Sequence, residues 1–240
     1  MEKYEVNYGA DKVIFSIERK NVKNVNINIR ITGEVVVTAK EEVPLDFIIG
    51  FVKRKSSWIV SQSKYYKAYE SQLNVKRELV SGETIKYLGK QYRLKVEEGE
   101  QEYVKHFRGY IFIYVKDKNN YKRKEVLLDK WLEEKFKDLV QQLYNKNYSI
   151  LKKYNLPKVK INTRKMKTRW GSCSPEMKSI LLNKDLIKAP KYCIEYVILH
   201  ELIHFIYPEH NREFYDFLYV LMPDWKERKK ILDEEVVLDL

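Results

Sequence analysis

Three of the four histidines in this 240-residue chain fall within eleven positions, in the run His200-Glu201-Leu202-Ile203-His204 and at His210. Two histidines four apart, with a glutamate directly after the first, form the helix-borne pattern that holds zinc and sets a general base beside it. The chemistry it suggests is metal-assisted hydrolysis. On a helix of 3.6 residues per turn, positions 200 and 204 differ by about 40° and one turn of rise. Their imidazoles leave one face with Cβ atoms about 5–6 Å apart, so one nitrogen of each can reach a shared ion at about 2.0–2.1 Å. Glu201 lies about 100° round from His200, on the border of that face, where it addresses a metal-bound water instead of the metal. A catalytic zinc needs a third protein ligand and an open fourth position. His210 is the candidate. Pro208 disfavours helix at Tyr207, so the helix should end near Ile206, and Pro208-Glu209 should turn the chain so that His210 opens the next helical stretch.

The elements that must position these residues follow from pattern. Pro190 suits the first turn of the active-site helix, which is predicted to run to about Ile206. A further helix is expected from Asn211 to Met222, stopped by Pro223, with a short charged helix after it. Upstream, Arg169–Cys173 and Ser179–Asn183 look like two strands around a loop at Ser174-Pro175-Glu176. Lys158–Asn162 alternates as a half-buried strand whose lysines share the solvent face. A long helix is predicted from about Lys122 to Tyr154, with Leu127, Trp131, Phe136, Leu139 and Leu143 at helical spacing and Pro157 ending it. Before the polar break at Asp117–Asn120 the chain reads as strands. Val25–Ile31 and Glu34–Thr38 form a hairpin with one buried face. Thr84–Leu88 and Gln91–Val96 meet at the Gly89-Lys90 turn, and Tyr110–Val115 is a further strand. Between them Pro44-Leu45-Asp46 opens a helix through about Tyr66. The fold class is α+β, with a β-rich region with one helix over 1–118. A catalytic domain over 119–240 is expected to combine the active-site helix, a backing helix and a small antiparallel sheet.

Composition bounds the partners. No apolar run approaches the roughly 20 residues of a membrane helix, and Met1–Glu5 carries no apolar leader. Two cysteines, Cys173 and Cys193, make no disulfide framework, so a cytoplasmic protein is expected. Net charge is +12. From Leu151 to Trp170 there are eight Lys or Arg, among them Lys152, Lys158, Lys160, Arg164 and Arg169, and no acidic residue. Such a run is either a solvated face or a surface for DNA or RNA.

Arg169-Trp170-Gly171-Ser172-Cys173-Ser174, Ile180–Asn183, Tyr196–His204, His210 with Phe214, and Met222-Pro223-Asp224 together resemble the YgjP-like metal-dependent hydrolases. That family belongs with the zincin metallopeptidases, near the SprT-like and Wss1-like (WLM) groups. Trp58-Ile59 and Tyr87–Tyr92 extend the likeness over nearly the whole chain. The resemblance implies zinc ligands at His200, His204 and His210, a catalytic Glu201, a β-hairpin passing over the active-site helix, and a protein or peptide substrate. Related groups act on proteins crosslinked to DNA, an analogy that does not fix function. The histidine spacing also matches metzincins, but those carry a glycine three residues after the second histidine, where this chain has Tyr207. Glu209 and Glu213 are the alternatives for third ligand, with His210 preferred.

The expected reaction is amide hydrolysis, with zinc acidifying water and polarising the carbonyl and Glu201 moving the proton. Arg169, Tyr215 and Tyr219 are candidates for oxyanion support. Cys173 is either an inhibitory ligand or, preferably, a plain buried thiol. The rival from another class is a nucleic-acid-binding protein whose zinc is structural or idle. A structural site is closed by four ligands, usually with cysteines in close pairs, and Cys173 and Cys193 lie twenty apart. Substrate identity and oligomeric state have no signature in the sequence.

Overall fold

Alternating side chains build the first of two units. The computed structural model describes residues 3–9, 11–22, 24–29, 33–73, 77–166 and 169–233, which divide into Met1–Arg77 and Glu78–Leu240. In the first, β1 (Lys3–Tyr8) and β2 (Asp11–Arg19) form an antiparallel hairpin. β4 (Val35–Ala39) runs parallel to β2 and antiparallel to β3 (Asn26–Ile29), giving the order β1-β2-β4-β3. The β3–β4 pair is the hairpin expected from alternation. As an inner strand, however, β4 is buried along its whole length instead of on one face. α1 (Leu45–Leu73) starts after Pro44 and outlasts its expected end. Its Ile48, Val52 and Ile59 share a core with Val13, Phe15 and Val37.

The second unit begins about forty residues before the polar break at 118. Four strands, β5 (Thr84–Tyr87), β6 (Lys90–Glu98), β7 (Tyr103–Phe107) and β8 (Tyr110–Val115), form a sheet of order β5-β6-β8-β7. Leu94, Ile111 and Ile113 from this sheet lie in one core with Leu128 and Trp131 of α2 (Tyr121–Leu151). Shared burial ties the strands before 118 to the helix after it, so the division falls ahead of the sheet. α2 starts at a cap, with Asn120 Oδ1 accepting from the Arg123 N–H at 3.0 Å. It ends in a short 3₁₀ turn at Lys152–Tyr154 that completes the expected helical stretch.

A three-stranded sheet follows, of β9 (Lys160–Arg164), β10 (Gly171–Ser174) and β11 (Ser179–Asn183). β10 and β11 are the expected antiparallel hairpin, but β9 joins β11 in parallel, so the sheet is mixed. The order β10-β11-β9 makes the chain cross the end of β11 between β9 and β10. Asn183 ties down that crossing: its Nδ2 donates to the Met166 and Arg169 carbonyls at 2.9 and 3.2 Å, and its Oδ1 accepts from the Met166 N–H.

α3 (Lys191–Ile203) is apolar almost all round, which suits a helix enclosed by its neighbours. Cys193, Ile194, Ile198, Leu202 and Ile203 are fully buried with Phe136 and Val140 of α2 and Ile180 and Leu182 of β11. α4 (Arg212–Leu221) and α5 (Trp225–Ile231) close the described chain. The N-terminal end of α3 is fixed by the β5–β6 turn, whose Leu88 and Gly89 amides donate to the Ile187 and Lys188 carbonyls at 2.8 and 2.9 Å. Gly89 has φ +78°, and a Cβ there would lie 2.7 Å from Pro190 Cγ. Only glycine suits both the turn and the contact.

Candidate metal centre

α3 ends sooner than Pro208 alone requires. Its last helical residue is Ile203, and His204 is the C-cap. The Ile203 carbonyl then accepts from both the Ile206 and Tyr207 amides at 2.8 Å, tightening the turn before Pro208. Asn211 stops the return, its Oδ1 accepting from the Phe214 N–H at 3.0 Å to cap α4. The chain thereby folds back by one tight loop, and His210 faces the two helix histidines.

The result is one cluster. A nitrogen able to ligate a metal from each of His200, His204 and His210 lies within 4.8 Å of the others, and His200 Nε2 is 2.9 Å from His210 Nε2. Glu209 and Glu213 are not part of it, nor is Cys173. His204 Nδ1 sits 3.3 Å from the Tyr207 carbonyl. A proton on Nδ1 donates there and leaves Nε2 free as a ligand, the arrangement that orients metal-binding imidazoles. His200 has no such support, because its Nδ1 is buried without a partner among the described residues. Packing holds its ring: Tyr196 lies edge-on at 5.8 Å and Phe214 at 5.0 Å. Phe214, fully buried, touches all three rings, with centroids 4.7 Å from His204 and 4.9 Å from His210. It is the floor of the cluster.

Burial keeps these imidazoles neutral. It pushes His200 down to about 3, helped by His204 and His210, and lowers His204 and His210 as well. Three neutral nitrogens with one exposed side fit a borderline-soft cation such as zinc better than magnesium or calcium, which prefer oxygen.

Glu201, 7% exposed, lies beside the cluster under β10. Burial drives its carboxyl up to about 7, against the opposing pull of Arg169 and of a hydrogen bond from the Cys173 backbone N–H. Close approach to β10 depends on Gly171, where a Cβ would fall 2.7 Å from Glu201 Oε1 and 2.8 Å from its Cγ. The Cys173 thiol is pushed up to about 11 by burial and by Glu201. It stays protonated and outside the cluster, which favours the plain-thiol reading.

A cleft of about 330 Å³ opens onto His200, Glu201 and His210. Arg169, Gly171, Tyr215, Trp225, Lys229 and Asp233 are among the residues that line it. Tyr215 stacks on Trp225 at 5.2 Å, and Lys229 pairs with Asp233 at 2.5 Å. Of the three oxyanion candidates, Arg169 and Tyr215 border this cleft and Tyr219 does not. The residues that sequence reasoning did not single out are Trp225, Lys229 and Asp233, which depend on tertiary approach and have no spacing signature. Phe214 carried a signal only through the family resemblance. In the basic stretch, Lys152, Lys153, Lys158, Lys160, Arg164, Lys165 and Arg169 are exposed, while Lys167 lies outside the described residues.

The family model described as YgjP-like, metallopeptidase domain matches residues 23–235. No curated protein matches. Among solved structures, the metallopeptidase zymogen abylysin of Pyrococcus abyssi is 22% identical with a TM-score of 0.36, covering 40% of this chain and 94% of its own. The metallopeptidase zymogen jannalysin of Methanocaldococcus jannaschii is 25% identical with a TM-score of 0.36, covering 40% and 89% respectively.

Proposed function

Because this chain belongs to the YgjP-like metallopeptidase family, we propose that its metal is zinc, held by His200, His204 and His210, and that Glu201 is the general base for cleavage of a peptide bond. Zinc, when bound, supplies a Lewis acid that polarises the scissile carbonyl and brings water toward a pKa of about 7. Everything else is the work of the chain. Glu201, pinned by the Cys173 N–H and facing Arg169, takes a proton from the attacking water and passes it to the leaving amine as the C–N bond breaks. Its buried setting raises its basicity toward the operating pH, and the cation beside it opposes that rise. β10 is an edge strand. Among the described residues its outer edge pairs with no strand, so it offers backbone groups that an extended peptide can pair with, laying the scissile bond over Glu201. Arg169 and Tyr215 are the donors placed to face a developing oxyanion.

The observation that carries this reading is the convergence of three neutral imidazoles beside one buried carboxylate whose approach requires Gly171. The test is peptide hydrolysis by zinc-loaded and chelator-stripped protein: activity should vanish on stripping and return with zinc. Activity that survives stripping contradicts it. A finer reading is that the substrates are proteins associated with nucleic acid, supported by the exposed Lys158, Lys160 and Arg164. The rival of a closed structural site is not favoured, since neither cysteine joins the cluster. Both are free, as in a cytoplasmic protein. Among the described residues no helix is long and apolar enough to cross a membrane.

A further inference from the structure

The β5–β8 sheet buries one face against α2 and presents the other to solvent. On β8, Ile111, Ile113 and Val115 are buried, so Tyr110, Phe112 and Tyr114 stand on the opposite side. Register places Tyr103, Lys105 and Phe107 of β7 next to them, with Arg93 and Lys95 of β6 on the other flank. The rings form a strip. Tyr103 stacks on Tyr114 at 4.5 Å, and Phe112 lies parallel to Tyr114 at 6.2 Å and 6.1 Å from Tyr110. Phe107 is 52% exposed and Tyr103 42%.

Cations are interleaved with the rings. Lys95 Nζ lies 4.3 Å from the Tyr110 centroid, Lys105 Nζ 5.0 Å from Tyr114, and the Arg108 guanidinium 5.1 Å from Phe107. Among the described residues neither lysine pairs with a carboxylate. Cross-strand ring pairs stabilise a sheet by themselves, but that role requires neither this exposure nor unpaired cations on both sides of the strip.

We propose that this face binds single-stranded nucleic acid, its bases stacking on the rings of β7 and β8 and its phosphates meeting Lys95, Lys105 and Arg93. Every base offers a π-face to an aromatic side chain, whereas a duplex hides those faces. Lysines resting on rings move to phosphates at little cost, because the ring contacts hold them only weakly. The three outward residues on each of β6, β7 and β8 span about 13 Å along the strands and about 10 Å across them, room for about three bases. Glu97, opposite Tyr114 in register, marks the end that a phosphate avoids. This face does not depend on the peptidase reading, and it is separate from the Lys152–Arg169 stretch.

The experiment is fluorescence anisotropy of the full chain with labelled oligo-dT and oligo-U of about twelve nucleotides, a duplex of equal length, and heparin as competitor, over a salt series. Both single strands should bind at low salt, less tightly as salt rises, and more tightly than the duplex. Phe107→Ser and Phe112→Leu should each weaken binding about tenfold. Lys95→Gln with Lys105→Gln should lower the log–log salt slope by about 1.4. Melting curves separate these losses from misfolding, and exposed Phe107 provides a variant that keeps the core intact. Equal binding of duplex and single strand overturns the proposal, as does unchanged binding by the ring variants or no binding at low salt. Loss of binding only in Lys160→Gln with Arg164→Gln also overturns it and moves the site to β9.

Discussion

The imidazole cluster and the outer face of the β5–β8 sheet are both made of rings beside charged groups, yet they treat water in opposite ways. At the cluster, His204 is 9% exposed and Glu201 7%. Burial there decides protonation, holding the histidines neutral and raising the carboxyl. On the sheet, Lys95 and Lys105 lie over rings that water reaches. The contrast teaches where sensitivity should lie. A buried site with one tight approach fails when a single atom moves, while an open face loses function gradually.

The expected effects rank accordingly. The largest is His204→Ala, which should drop zinc content from one per chain to near none and peptide hydrolysis to background, read by metal analysis and a peptide assay. Retained zinc at full stoichiometry breaks the ligand assignment. Next is Gly171→Ala. Its Cβ must displace the Glu201 carboxylate, and a misplacement of about 1 Å costs roughly 10²-fold in turnover. KM and zinc content should hold. A variant with wild-type turnover shows that Glu201 has freedom the packing does not suggest. Smaller still, Phe214→Leu should destabilise folding by about 1–3 kcal/mol in denaturant titration, since Phe214 underlies three rings. The smallest is the sheet double variant Lys95→Gln with Lys105→Gln, which should change hydrolysis of a short peptide by less than about twofold, because surface substitutions away from a site are nearly neutral. A large loss there would erase the separation between the two regions.

The sequence made the histidine cluster more legible than the frame around it. His200, Glu201 and His204 could be read because helical periodicity is local, and Pro208 announced the turn that returns His210. The helix nonetheless ends at Ile203, since the Ile203 carbonyl is drawn into that turn. β7 escaped notice because Tyr103–Phe107 is an edge strand with Lys105 and His106 in its middle, diluting the alternation. Likewise, the parallel pairing of β9 with β11 rests on a crossing held by the Asn183 side chain, a contact with no sequence period. The unit boundary fell earlier than residue 118 because Trp131 and Leu128 complete a core that strands β5–β8 begin. Gly171 had no signal beyond the family resemblance. Its need is visible only where β10 meets Glu201.

The central claim is that the cluster holds the metal while Glu201 does the proton work, and one variant separates the two. In Glu201→Gln, zinc per chain and peptide turnover are measured on the same preparation. The expected result is one zinc per chain with turnover lower by about 10²–10⁴-fold. Wild-type turnover in that variant would contradict the account, as would loss of the zinc together with the activity.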